Sequence, residues 1–215
     1  MKKLVIFDLD GTLLNTIGDL AQSTNYALKQ CGFPIHNTDS YRTFVGNGIN
    51  KLFERALPEE ERNEENIMKV RSFFLPYYNL HKSDLTQPYK GVTELLTALQ
   101  ERGCMIAVAS NKYQAATEKL ASCYFSGINF IKVLGQREGI PTKPDPHIIN
   151  EIIQAAGVSK EETIYVGDSN VDIITGHNAG VDVVGVSWGF RSRRELQENN
   201  PLTIIEEAEE ILLLL

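Results

Sequence analysis

Short apolar runs rich in β-branched residues punctuate this chain: Leu4–Phe7, Met105–Ala109, Phe130–Leu134, Ile164–Val166 and Val183–Val186. Each has strand length. Continuous apolarity, rather than alternation, marks a strand covered on both faces. Between these runs lie helix-like segments. Val92–Arg102 is stopped by Gly103, and Asn111–Ser122 follows the second run. Asp145-Pro146 opens a helix that continues through Ala156, and Ser169–Asn178 is stopped by Gly180. Aspartate then proline is a capping residue followed by the residue suited to the first helical position; glycine past the last turn supplies a stop. Alternating strand and helix predicts an α/β fold, a doubly wound parallel sheet of Rossmann-like design.

The alternation fails between Thr16 and Lys82, where no convincing strand occurs. Thr16–Cys31, Asp39–Val45, Ile49–Leu57 and Glu60–Leu80 read as helices, broken at Gly32-Phe33-Pro34 and at Gly46-Asn47-Gly48. The acidic run Pro58–Asn66 reads as a solvated helix start. The expected division is a catalytic core made of residues 1–15 and 83–215, with an inserted all-helical cap at 16–82. An insertion just after the first strand enters at the carboxyl edge of the sheet, where open α/β sheets bind ligands.

Composition narrows the class. Of 215 residues, 42% are hydrophobic and 23% charged, as in an ordinary globular chain. The net charge of -7 argues against nucleic-acid binding, which needs a basic face, but not against an anionic substrate held by local cations. Cys31, Cys104 and Cys123 have no metal-ligand spacing and are odd in number, so a reducing cytoplasm is the expected setting. The opening MKKLVIF is cut short by Asp8, unlike a secretory leader, and the apolar end Ile211–Leu215 is too short to span a bilayer. A terminal helix docked on the core is the expectation there. No membrane partner is expected, and the chain is expected to be a monomer or a homodimer.

Polar residues collect where the apolar runs end. The first run ends FDLDGT, the second ASNK, TKPDP precedes a helix, and the fourth run ends in VGDSNVD. In a parallel sheet all of these reach one edge, so separate segments converge on one site. Asp8 and Asp10 cannot both ionise cheaply side by side; a divalent cation or a basic neighbour relieves them. The pair suits a nucleophile and a general acid and base. Gly11 allows a tight turn and close approach of an anion, and Thr12 can hydrogen-bond phosphate or cap the turn. Asp168 and Asp172 are spaced to share a helix face, with Ser169 a candidate cap between them. Few protein carboxylates with room for water and substrate oxygen suit Mg²⁺. Ser110 and Asn111 offer a hydroxyl and an amide at an expected helix start. Lys143, extended by the following proline, can offset the acids and hold phosphate.

FDLDGT, SNK, KPDP and GDSNVD, in this order, resemble the motifs of the haloacid dehalogenase superfamily, and the helical insertion resembles its small-cap branch. Tyr41–Leu57, DGTLLNT and Gly185–Phe190 are similar to segments of phosphoglycolate phosphatases. The resemblance implies a Mg²⁺-dependent phosphatase acting on a small phosphate ester, with Asp8 as nucleophile forming an aspartyl-phosphate and Asp10 as general acid and base. It implies Mg²⁺ on the Asp8 carboxylate, the Asp10 backbone carbonyl and Asp168. Ser110, Asn111 and Lys143 would hold the phosphoryl group, with Lys143 counted among the catalytic residues. Asp172 and Ser169 would support them from behind. Gly46, Asn47 and Gly48 are the expected substrate loop of a closing cap. Asn15-Thr16 departs from the acidic residue common at that point in relatives. A pyrophosphatase or a phosphosugar mutase of the same superfamily is the alternative, although VGNGI lacks the basic residues of mutase caps. A phospho-acceptor or binding domain is the non-enzyme alternative, and the undamaged motifs disfavour it.

Overall fold

The structure, a computed structural model, describes residues 1–215. β1 (Leu4–Phe7) is buried at every position. The chain leaves it through a short strand, β2 (Leu14–Asn15), and returns through another, β3 (Gln87–Pro88), which pairs with β2. Between them come α1 (Ile17–Cys31), a 3-10 turn at Thr38–Ser40, α2 (Tyr41–Phe44), α3 (Ile49–Ala56), a second turn at Glu59–Glu61, and α4 (Glu64–His81). Then follow α5 (Val92–Glu101), β4 (Met105–Tyr113), α6 (Gln114–Tyr124), β5 (Phe130–Gln136), α7 (His147–Ala156) and β6 (Thr163–Gly167). The chain ends with α8 (Asn170–Ala179), β7 (Asp182–Val186), α9 (Arg193–Gln197), β8 (Thr203–Ile205) and a 3-10 segment at Ala208–Leu213.

The main sheet has the order β5-β4-β1-β6-β7-β8, and every pairing in it is parallel. Side-chain alternation on β1 sends Val5 and Phe7 into one apolar layer, and Leu4 and Ile6 into the other. The first layer includes Leu95, Leu96 and Leu99 of α5 and Leu120 of α6; the second includes Ile148, Ile149 and Ile152 of α7 and Ile173 of α8. Helices on both faces are why the strands read as unbroken apolar runs. Strand order reverses about β1, so the carboxyl ends of β1, β4 and β6 form the crevice expected of a switch point.

The chain divides into two compact units, Met1–Leu14 with Pro88–Leu215, and Asn15–Gln87. The boundary expected after residue 82 falls instead after Gln87. The cause is Asp19 in the first turn of α1, which is 1% exposed. Its carboxylate accepts hydrogen bonds from the N–H groups of Leu85 and Thr86, at 2.9 and 2.8 Å, and from Thr86 Oγ1 at 2.6 Å. The stretch after α4 is thereby tied to the helical unit. Inside that unit Phe53 meets Phe74 edge-on at 5.0 Å, and Phe74 stacks on Tyr78 at 4.9 Å.

Other expectations shift too. β4 runs to Tyr113, so Ser110 and Asn111 lie within a strand rather than at a helix start, and α6 begins at Gln114. The cause is continued pairing across an irregular strand end, where Tyr113 meets Gln136. The strand β8 carries no apolar run of the kind that marks the others. The C-terminal segment docks as expected: Ile211 is fully buried, and Leu212, Leu214 and Leu215 pack on the first apolar layer. No helix is long and apolar enough to cross a membrane.

Candidate active site

Asp8 is the residue after β1, and its backbone is fixed by an N–H···O bond to Val166 at 2.9 Å. Beside it lies the ammonium of Lys143, with a side chain 2% exposed. Lys143 Nζ donates to Ala109 O at 3.1 Å, Tyr165 Oη at 2.9 Å and Asp172 Oδ1 at 2.7 Å. An ammonium has three N–H groups, and these acceptors use them all. Asp8 Oδ1 sits 3.0 Å from the same nitrogen and forms a buried ion pair with it.

Asp172 is saturated. Its Oδ2 accepts from Ser169 N at 3.1 Å and Ser169 Oγ at 2.6 Å, closing the capping box of α8, while its Oδ1 accepts from Lys143 and from Tyr165 Oη at 2.7 Å. Asp168, at the end of β6, accepts from Phe190 N through Oδ2 at 2.7 Å. The loop that supplies this N–H also anchors the turn after β1, because Trp188 Nε1 donates to Thr12 O at 3.1 Å. A Cβ at Gly11, whose φ is 88°, would strike the Asp168 carboxylate; one at Gly189 would strike Asp168 and Gly11 O. Asp168 therefore fits only because both neighbours lack side chains. Thr12 Oγ1 is buried beside this turn with no hydrogen-bond partner.

The charges are strongly coupled. Burial drives the Asp8 carboxyl from its usual 3.8 up to about 7; Lys143 opposes this, and Asp172 and Asp10 reinforce it. Burial, then Asp172 and Asp8, push Asp168 well above the usual range against the pull of Phe190 N–H and Arg191. Burial would raise Asp172 as well, but Lys143 and the hydrogen bonds from Lys143, Ser169 and Tyr165 hold it below its ordinary value. Lys143, despite burial, is raised by Asp172 and Asp8.

Ligand oxygens of Asp8, Asp168 and Asp172 all lie within 4.8 Å of one another. The hydrogen bonds on Asp172 fit it to brace Lys143. Asp8 and Asp168 accept fewer hydrogen bonds than Asp172 and retain capacity for a cation. All-oxygen donors in a buried acidic cleft fit a hard divalent metal. The Asp10 carboxylate is turned elsewhere: both its oxygens meet Lys112 Nζ, at 3.0 and 2.9 Å.

The sheet edge thus gathers Asp8, Asp10, Gly11, Thr12, Ser110, Asn111, Lys143, Asp168, Ser169 and Asp172, as the strand-end pattern predicts. Asn111 also has a structural use. Its amide holds the backbone of Lys143, with Nδ2 donating to the carbonyl at 3.0 Å and Oδ1 accepting from the N–H at 2.9 Å. Gly46, Asn47 and Gly48 belong to the helical unit, where Arg55 donates to Asn47 Oδ1 at 2.8 Å and to Phe44 O at 2.9 Å. Sequence reasoning missed Lys112, although it stands in the SNK motif itself. It also missed Tyr165, whose signal was a hydroxyl inside the apolar run Ile164–Val166 that had to find a buried partner.

The haloacid dehalogenase-like hydrolase family model matches residues 5–186. A phosphoglycolate phosphatase of Haemophilus influenzae is 32% identical over 99% of this chain and 98% of its own length. One of Mesorhizobium japonicum is 32% identical over 95% and 90%. A solved structure from Haemophilus somnus, described as a predicted phosphoglycolate phosphatase, superposes with a TM-score of 0.91 at 30% identity, covering 99% of this chain and 97% of that one. The matched span includes every strand-end motif of the site, and the chain belongs to the haloacid dehalogenase-like hydrolase family.

Proposed function

We propose that this protein is a Mg²⁺-dependent phosphatase that hydrolyses a small phosphomonoester, 2-phosphoglycolate or a close analogue, through an aspartyl-phosphate on Asp8. The observation that carries this reading is the buried Asp8 carboxylate at the end of β1, with an oxygen 3.0 Å from Lys143 Nζ. A carboxylate so placed has an ammonium to steady it and a lone pair left for attack. The naming of full-length relatives as phosphoglycolate phosphatases supports the substrate class.

Asp8 attacks phosphorus, the bond to the leaving oxygen breaks, and Asp10 supplies that oxygen with a proton. Water then attacks the phosphorus, gives its proton to Asp10 and releases Asp8 and inorganic phosphate. Lys143 and the Ser110 hydroxyl face the charge that spreads over the transferring group, and Asn111 acts by holding the Lys143 backbone in place. Asp8, Asp168 and the Asp10 carbonyl would hold Mg²⁺, which when bound neutralises the crowded carboxylates and withdraws charge from a phosphoryl oxygen. The reading is tested by phosphate release from 2-phosphoglycolate, sugar phosphates, pyrophosphate and nucleoside monophosphates, with Mg²⁺ and with EDTA. Release that needs Mg²⁺ and favours 2-phosphoglycolate is expected; no release from any substrate overturns it.

A further inference from the structure

We infer that Lys112 is the positioning residue for Asp10, holding the acid that protonates the leaving group apart from the acids that surround the phosphorus. The inference rests on the phosphatase reading above and concerns a residue that the strand-end chemistry does not itself demand. Lys112 Nζ contacts both oxygens of Asp10, at 3.0 and 2.9 Å, so it grips the carboxylate symmetrically and fixes its direction. Its side chain is 2% exposed and that of Asp10 12% exposed. An ammonium so deeply buried is costly unless it is paired.

The grip is preorganised from the backbone outward. Lys112 lies near the end of β4, its N–H donating to Ser110 Oγ at 3.3 Å and its carbonyl accepting from Thr117 Oγ1 at 3.1 Å. β5 comes so close that a Cβ at Gly135 would lie 2.5 Å from the Lys112 carbonyl oxygen. Opposite it, the Asp10 backbone bridges to Leu14, and Gly11 N–H bonds to Leu14 O at 2.9 Å. Both ends of the pair are therefore held by main-chain structure. Asp8, Asp168 and Asp172 crowd together on the neighbouring strand ends, and Asp10 stands outside that group. Without Lys112, the Asp10 carboxylate loses the two contacts that set its direction, while repulsion from the neighbouring acids still acts on it. General acid catalysis depends on a few tenths of an ångström at the leaving oxygen, so the loss should appear there.

The test measures kcat/KM across a series of aryl and alkyl phosphates of rising leaving-group pKa, for the wild type, Lys112→Met, Lys112→Arg and Asp10→Asn. This parameter reports only steps up to departure of the leaving group. A good leaving group needs no proton, and a poor one does. The wild type should show a shallow dependence on leaving-group pKa. Lys112→Met should steepen it toward that of Asp10→Asn, losing roughly a hundredfold on alkyl esters and roughly tenfold or less on nitrophenyl phosphate. A merely structural role would lower all esters by one factor, leaving the slope unchanged, and that result overturns the inference. If Lys112→Met does not fold by circular dichroism, Lys112→Arg carries the test. Its guanidinium cannot reproduce the single-nitrogen grip, so its slope should lie between the two extremes, and a wild-type slope overturns the inference. A wild type inactive on every ester overturns the phosphatase reading, and this inference with it; an active wild type with unchanged slopes in the variants overturns this inference alone.

Discussion

Asn111 pairs with Lys143 through both ends of its amide, accepting from the backbone N–H at 2.9 Å and donating to the backbone carbonyl at 3.0 Å. One side chain thus stands in for a neighbouring strand and fixes the loop that carries the buried ammonium. Asn111→Leu leaves the Lys143 N–H and C=O buried without partners, each costing about 1–3 kcal/mol. The expected result is a destabilisation of several kcal/mol in a urea titration. Asn111→Asp, which can keep the N–H bond but not the donor, should fall between. A Leu variant as stable as the parent would show that the pairing contributes nothing.

Tyr165 is the second brace of Lys143. Tyr165→Phe removes the hydroxyl that accepts from Lys143 and donates to Asp172, and leaves the ring in its apolar layer. A loss of about 1–2 kcal/mol in stability is expected. The kcat for phosphate release should fall about tenfold with little change in KM, because the ammonium loses direction rather than charge. An unchanged kcat would sink this role.

Asp8 makes stability depend on pH and on cation together. With its carboxyl at about 7 rather than 3.8, the folded protein keeps a proton that the unfolded chain has already released. Its contribution is full below 3.8 and is lost as pH climbs through about 7. Asp168 shifts in the same direction, and Asp172 in the opposite one. A divalent cation binds the ionised forms, so Mg²⁺ should raise the melting temperature more at about pH 8 than at about pH 5. Asp8→Asn should abolish turnover, melt no lower than the parent without metal at about pH 8, and lose most of the Mg²⁺ effect. Equal stabilisation by Mg²⁺ at both pH values would contradict the arrangement.

Gly189→Ala places a methyl group against Asp168 and the Gly11 carbonyl. Neither can retreat easily, since Asp168 is held by Phe190 N–H and Gly11 by its bond to Leu14. A cost of about 1–3 kcal/mol in stability is expected, as for other overpacked sites. Displacement of Asp168 should also weaken Mg²⁺ at least tenfold in an activity titration, and wild-type values for both would refute the close fit.

The acids at the strand ends were legible because polar residues straight after unbroken apolar runs have few other reasons to be there. Ser110, Asn111 and Lys112 were harder. Ser110 and Asn111 read as a helix start, yet both are buried with Lys112, and the strand continues through all three. Asn111 and Lys112 are satisfied by distant partners, the Lys143 backbone and the Asp10 carboxylate. Local pattern carries no trace of such partners, so it placed a helix start where the strand continues. β8 escaped notice for a different reason. Thr203–Ile205 is too short to form an apolar run and gains its place by pairing with β7. The boundary after Gln87 was hidden in Asp19, which reads as an ordinary first-turn acid until Leu85 and Thr86 are seen on it.

That carboxylate has one more implication. Asp19 lies just inside the entry of the insertion, and Leu85 and Thr86 just before its exit, while β2 and β3 join the two passages. The insertion is a loop drawn shut at its neck, like a pouch on a string. Beyond that neck the insertion can lengthen or shorten while its entry and exit stay tied together.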